Sequence, residues 1–305
     1  MIGRATRMKL TQRTQHILTA YLFIFPGLAL YLVFNIYPIV KAFQMSFYEW
    51  SIMPGTENEF VGLANYGRAL ADPIVGLSLR NTIVYTLVTV VGQMVLALLA
   101  ALLLNHIVRG KIFFRTLYYL PVVTSWVIVS LLFKYLFQSP NGLVNHVLEN
   151  ILHVIDDPIP WLRVAKTAMV PIWSLGIWKG VGWSMVIFLA ALQTIPSELY
   201  EVAAIDGAGI WQRFTHITLP LIRPTLVFTL VMLMIGGFNV FISVALITNG
   251  GPLQRTEVML SYMYHQAFDF LDFGYGAALS FILAIIIVTV SFLQIRFLRE
   301  PEPLS

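Results

Sequence analysis

Lys179 is the first residue in this chain to need a chemical explanation. It stands in an apolar run among Gly176, Trp178, Gly180, Gly182 and Trp183. An ammonium group in lipid costs about 2.5–3.5 kcal/mol to insert. Two readings follow: the long side chain snorkels to an interface, or it borders a wet cavity. Gly176 and Gly180, four residues apart, either let another helix approach or lie beside a solute. No Asp or Glu lies inside any apolar run. A proton-coupled carrier needs an intramembrane carboxylate to load and release its proton, so that class is disfavoured.

Other chemistry has little to work with. No Gly-x-x-x-x-Gly-Lys-Ser/Thr phosphate loop occurs, and Gly110-Lys111 lacks the earlier glycine and the hydroxyl. The chain is therefore not expected to hydrolyse ATP. No Gly-x-Ser-x-Gly or His-Glu-x-x-His motif falls in a span, so no catalytic residue is assigned. His146 and His153 share a loop with Asp156 and Asp157, and read as solvated loop residues rather than metal ligands. Cysteine is absent, which excludes disulfides and thiolate metal sites.

The elements that must position these residues are set by composition. The 305 residues are 58% hydrophobic and only 11% charged, with a mean hydropathy of +0.79. Such a chain cannot cover a water-facing surface, so lipid is its solvent. The net charge of +4 resides mostly beside span ends, which fits topology better than nucleic-acid binding. Spans of near the ~20 residues needed to cross hydrocarbon are predicted at 17–37, 81–105, 117–137, 168–192, 225–248 and 275–293. Pro38 is taken as the end of the first. Six spans put both termini on one side. Segment 1–16, the loop after the second span, the loop 196–224 and the tail hold eleven Lys or Arg, against five in the opposite loops. The positive-inside rule makes the termini and the 196–224 loop cytoplasmic.

That loop is built rather than merely connecting. Ser197 is a candidate N-cap, and Glu198 and Glu201 fall in a first turn where the helix dipole favours acids. Leu199, Val202, Ala203 and Asp206 share one face. Gly207 suits the left-handed residue that ends a helix. A second helical piece is expected from Ile210 to Ile217, leading to Pro220 and Pro224. A loop that only joins two spans needs none of this, whereas one that docks into another protein does.

Glu201, Ala203, Asp206, Gly207 and Ala208, then Ile217, Leu219 and Pro220, resemble the cytoplasmic EAA loop of binding-protein-dependent ABC importer permeases, with Val202 where the family prefers alanine. The Phe60–Tyr66 stretch, the Asn249-Gly250-Gly251-Pro252 turn and the Phe273-Gly274-Tyr275 entry to the last span are similar to the sugar and glycerol-phosphate branch. The resemblance implies an all-α polytopic fold of six transmembrane helices, the type I (MetI-like) permease fold, with its core over 77–296 and a cytoplasmic coupling helix. It implies that Glu198, Glu201, Ala203, Asp206, Gly207, Ala208, Ile217, Leu219 and Pro220 engage an ATPase. Substrate contacts in maltose-type permeases map here to Gly176, Lys179, Gly180 and Trp183, then Gly236, Gly237 and Val240. Phe238 and the neighbouring Asn239 could join Trp183 and Lys179 in presenting the aromatic faces and polar groups that sugars need.

The implied partners are a second homologous permease, two ATPase subunits that use ATP and Mg²⁺, and an extracytoplasmic binding protein, in the cytoplasmic membrane of a bacterium or archaeon. No cofactor is expected on this chain itself. The competing expectation is an ion-coupled transporter or channel that needs no ATPase.

Overall fold

The computed structural model describes residues 12–50, 57–106 and 110–298; the cations counted above at Arg4, Arg7, Lys9, Arg109 and Arg299 lie outside them. Five helices are long and apolar enough to span a membrane, and a bent pair makes a sixth crossing. In chain order these are α1 (Gln12–Tyr31) running into α2 (Tyr37–Met45), then α4 (Pro73–His106), the bent pair α5 (Lys111–Val123) and α6 (Trp126–Leu136), α8 (Val170–Leu192), α10 (Ile210–Arg213) running into α11 (Leu219–Phe238), and α14 (Phe273–Leu298). Shorter pieces are α3 (Ala64–Ala71), α7 (Leu143–His146), α9 (Ser197–Ile205), α12 (Ile242–Ile247), α13 (Met259–Tyr264) and a two-residue antiparallel ladder of β1 (Tyr48–Glu49) with β2 (Glu59–Phe60).

Prolines mislead the boundaries. Pro38 does not end the first crossing, because the helix continues to Met45. A π turn at Leu32–Ile36 precedes the proline, with the Tyr37 N–H bonded to Leu32 O. The wider turn gives room where the ring would otherwise strike the preceding turn. The same arrangement recurs at Pro220, preceded by a π turn at Phe214–Thr218. The helix of the fifth crossing therefore starts within the loop, at Ile210, and runs unbroken to Phe238. It also ends early. The Asn239 amide donates to Ile235 O at 2.7 Å, Phe241 leaves the helical conformation (φ −145°, ψ −63°), and α12 follows the break.

The third crossing is not one helix over 117–137. α5 and α6 meet at 94°, because Thr124 and Ser125 are extended. The second crossing begins at Pro73, eight residues before the expected start. Asp72 Oδ1 accepts the Ile74 N–H at 2.8 Å, and Ser78 and Asn81 find acceptors rather than water. The last crossing runs from Phe273 to Leu298, outside its expected limits at both ends. Ser197 is the first helical residue, with Pro196 in the cap position.

α4 and α8 run parallel and pack closely. Ala97, Ala101, Leu104, Met185, Phe188 and Leu192 form their shared core, which Ile222 of α11 closes. At one end of the bundle, called here the collar, α3, α13 and the starts of α4 and α14 meet. At the other, residues 193–218 form a loop.

Candidate translocation cavity and coupling loop

α4, α8, α11 and the α5–α6 break enclose a cavity of about 250 Å³. Its wall includes Gly176, Lys179, Gly180 and Trp183 from α8 and Gly236 and Gly237 from α11, so six of the nine sequence-derived pathway residues converge. Phe238 and Val240 are buried in packing clusters instead, and the exposed Asn239 serves the helix break. The sequence reading missed Tyr85, Thr89 and Gln93 of α4, along with Val122, Trp126, Met232 and Leu233. Tyr85, Thr89 and Gln93 recur every four residues on one face of an otherwise apolar helix. That period was the available signal.

Lys179 does not snorkel. Its side chain is 4% exposed, and Nζ donates to Pro121 O (2.8 Å), Val122 O (3.3 Å) and Thr124 O (2.7 Å). These are carbonyls that the end of α5 leaves without helical partners. The ammonium satisfies them at the negative end of the helix dipole, with the Trp126 ring 4.9 Å away. The cation is thus used in holding the break, beside the cavity.

The glycines divide by what they meet. A Cβ on Gly176 would strike the Tyr85 hydroxyl, and one on Gly180 would strike the Gln93 amide. Both therefore let α4 side chains lie against α8. Around Gly236 there is open space within 4 Å. That glycine faces the cavity directly.

The collar gathers the remaining sequence motifs. Asn65 of the Phe60–Tyr66 stretch donates to Ser46 O and Tyr48 O, each at 3.0 Å. Asp72 accepts from Tyr262 (2.6 Å) and Tyr275 (2.8 Å). Burial would raise the Asp72 pKa, but these hydroxyls and the Ile74 and Val75 amides outweigh it and hold the carboxyl below its ordinary value. Arg68 pairs with Asp272 at 2.6 Å and lies over the Tyr275 ring. Glu257, pushed up by burial and partly relieved by Ser261 and His265, sits beneath the Asn249–Pro252 turn. His146 pairs with Asn150, and among the described residues no group of three His, Asp or Glu has metal-site spacing.

The loop at the opposite end is compact but uncovered. Gly207 has φ +79°, a conformation that costs an L side chain roughly 1–2 kcal/mol. Around it the Gly207 N–H reaches Ala204 O (3.1 Å) and the Ala208 N–H reaches Ala203 O (2.8 Å), the paired closure that ends a helix at a left-handed residue. Glu198, Glu201 and Asp206 are exposed, as are Leu219 and Pro220, while Ala203, Ala208 and Ile217 are half-buried. Apolar side chains project from the loop too, with Ile205 85% and Trp211 74% exposed.

A multi-span helical bundle with an internal cavity, whose two walling helices are joined by an exposed helix–turn–helix, defines a membrane permease. Residues 93–300 match the family described as binding-protein-dependent transport system inner membrane component, and the chain belongs to that family, the permeases of ABC importers. It is 36% identical to the lactose transport system permease protein LacF of Rhizobium radiobacter, over 97% of this chain and 99% of that one. It is 37% identical to the arabinooligosaccharides transport system permease protein AraP of Bacillus subtilis, over 90% of this chain and 87% of that one. The fold matches a chain of a bacterial ABC transporter involved in import of the acidic polysaccharide alginate, with TM-score 0.82, 24% identity and coverage of 96% and 99%.

Proposed function

We propose that this chain forms half of the membrane pathway of an ABC importer for a carbohydrate, pairing with a second, homologous permease. One observation carries the reading: the exposed 193–218 loop joins α8 and α11, which wall the cavity. A body that grips the loop moves both walls. The names of the relatives, which handle lactose and arabino-oligosaccharides, support the substrate class.

In this reading the loop faces the cytosol, where two ATPase subunits bind ATP and Mg²⁺ and seat Ile205, Ile210 and Trp211 in a groove. Glu198, Glu201 and Asp206 supply the polar rim of that contact. The collar faces an extracytoplasmic binding protein that delivers the solute. ATP acts only through its different affinity for two arrangements of the ATPase pair, and the loop converts that difference into opening of one side or the other.

The test is flux of labelled lactose and arabinotriose into proteoliposomes. The assembled complex should carry sugar only with ATP, ATPase and binding protein all present. Flux through the purified chain alone would replace this reading with that of an ion-coupled carrier or channel. Gly236→Leu, which projects into the cavity, should cut uptake roughly tenfold while the complex still assembles.

A further inference from the structure

We propose that Gln93 is the residue that reads solute hydroxyl groups, and that the cavity accepts uncharged, polyhydroxylated solutes in preference to acidic ones. This rests on the carbohydrate reading above and adds the charge class and the recognising group.

Most polar groups at the cavity wall are already committed to protein partners. Lys179 has its three donors directed at three carbonyls, which leaves it none for a carboxylate or phosphate. Thr89 donates back to Tyr85 O at 2.8 Å within its own helix. The Tyr85 hydroxyl lies against Gly176 and pairs with Ser243. No other ionisable side chain but Tyr85 and Lys179 lines the cavity. An acidic solute would therefore enter a low-dielectric space with no cation free to meet it, a poor exchange for water.

Gln93 differs from all of these. It is 9% exposed, sits over the space that Gly180 leaves by lacking a side chain, and borders the cavity. None of the hydrogen bonds among the described residues involves its side-chain amide. Its amide atoms are not among the fully buried polar atoms left without a partner; they open onto the cavity, where water or a solute can meet them. The amide carries a carbonyl acceptor and two N–H donors on one planar group. Neighbouring hydroxyls of a sugar can meet that set with one donating and one accepting. Trp183 and Trp126 supply the apolar faces for the C–H surface. The sulphur-bearing and aliphatic walls, Met232 and Leu233, offer no competing polar group.

The experiment uses the whole transporter with its binding protein and ATPase in proteoliposomes. The probes are labelled lactose, arabinotriose and raffinose as neutral solutes and digalacturonate as an acidic one. Gln93→Leu, close in shape but without polar atoms, should raise KM for the best-carried neutral probe tenfold or more, as loss of one good hydrogen-bonding partner predicts. Gln93→Asn should keep part of the affinity, and Gln93→Lys should raise digalacturonate flux relative to the neutral probes.

Thermal unfolding gives a second readout. Gln93→Leu should leave the midpoint unchanged or raise it, because no protein partner is lost. A lower midpoint would mean that the amide is tied into the fold, and overturns the proposal. So would an unchanged KM in Gln93→Leu, or digalacturonate carried as well as the neutral probes by the unaltered complex. If the unaltered complex carries none of the four, the carbohydrate reading itself falls and takes this one with it.

Discussion

The two ends of the bundle solve opposite problems. At the collar, partners distant in sequence close on one another: Asn65 on the backbone at 46 and 48, Asp72 on Tyr262 and Tyr275, Asn81 on the carbonyls of Arg255 and Glu257. Polar groups there are satisfied by the chain itself. At the loop the bonds are mostly local, such as Ala208 to Ala203 and Gly209 to the Gln212 side chain, and large apolar side chains face outward. The difference teaches where rigidity comes from. One end is held by bonds between distant segments, and the other by short-range bonds beneath the exposed side chains of Ile205, Ile210 and Trp211.

Substitutions at each end should break or sharpen that contrast. The largest effect is expected from Gly207→Pro, which cannot adopt φ +79°. Binding-protein-stimulated ATPase activity of the complex should fall more than tenfold, while the isolated chain unfolds near its usual temperature. Normal stimulated activity would remove the loop from the coupling path.

Lys179→Met comes next, and its effect is on stability. The Val122 and Thr124 carbonyls lose their donor, while Pro121 O keeps the Thr124 hydroxyl, at a cost of about 2 kcal/mol, read as a drop in the unfolding midpoint in detergent. If the midpoint does not move, something else holds the α5–α6 break.

Asp72→Asn should cost about 2 kcal/mol at neutral pH. The folded-state pKa of Asp72 is depressed, so its contribution is present above the unfolded carboxylate value and is lost as pH falls through the folded one. The gap between Asp72→Asn and the unaltered chain should accordingly be wide at pH 6 and close below about pH 4. A gap independent of pH would show that the carboxylate charge is irrelevant to the collar. The smallest effect is expected from Tyr200→Phe, which removes one hydroxyl contact at the loop and should shift stability by about 1 kcal/mol or less.

The sequence was most readable where local chemistry dictates structure. Gly207, placed just after an amphipathic turn, is the residue type that ends a helix in the left-handed conformation, so the loop could be placed from its residues alone. The collar was half readable: the Phe60–Tyr66 stretch and the Phe273–Tyr275 entry stood out, but nothing in either string says that Asn65 lies against Gly274 or that Tyr275 reaches Asp72. The breaks after Val123 and Phe238 were hidden because hydropathy reports the surrounding solvent, not the path of the backbone, and apolar composition continues across both. Lys179 was the trace of the first break. It looked like a cation in the wrong solvent because the carbonyls that accept it belong to another helix. The polar face of α4 went unread because Thr82, Thr86 and Thr89 bond back to their own helix and so cost little in an apolar run. Pro38 and Pro220 misled for a different reason, since a proline signals a missing donor and a π turn ahead of it removes the need for one.

The Tyr200 and Thr218 hydroxyls lie 2.9 Å apart, and they belong to opposite arms of the 193–218 loop. With Ile222 of α11 already packed against the core that α8 shares, this contact gives the loop a second tie between α8 and α11, so displacing one arm of the loop strains the other.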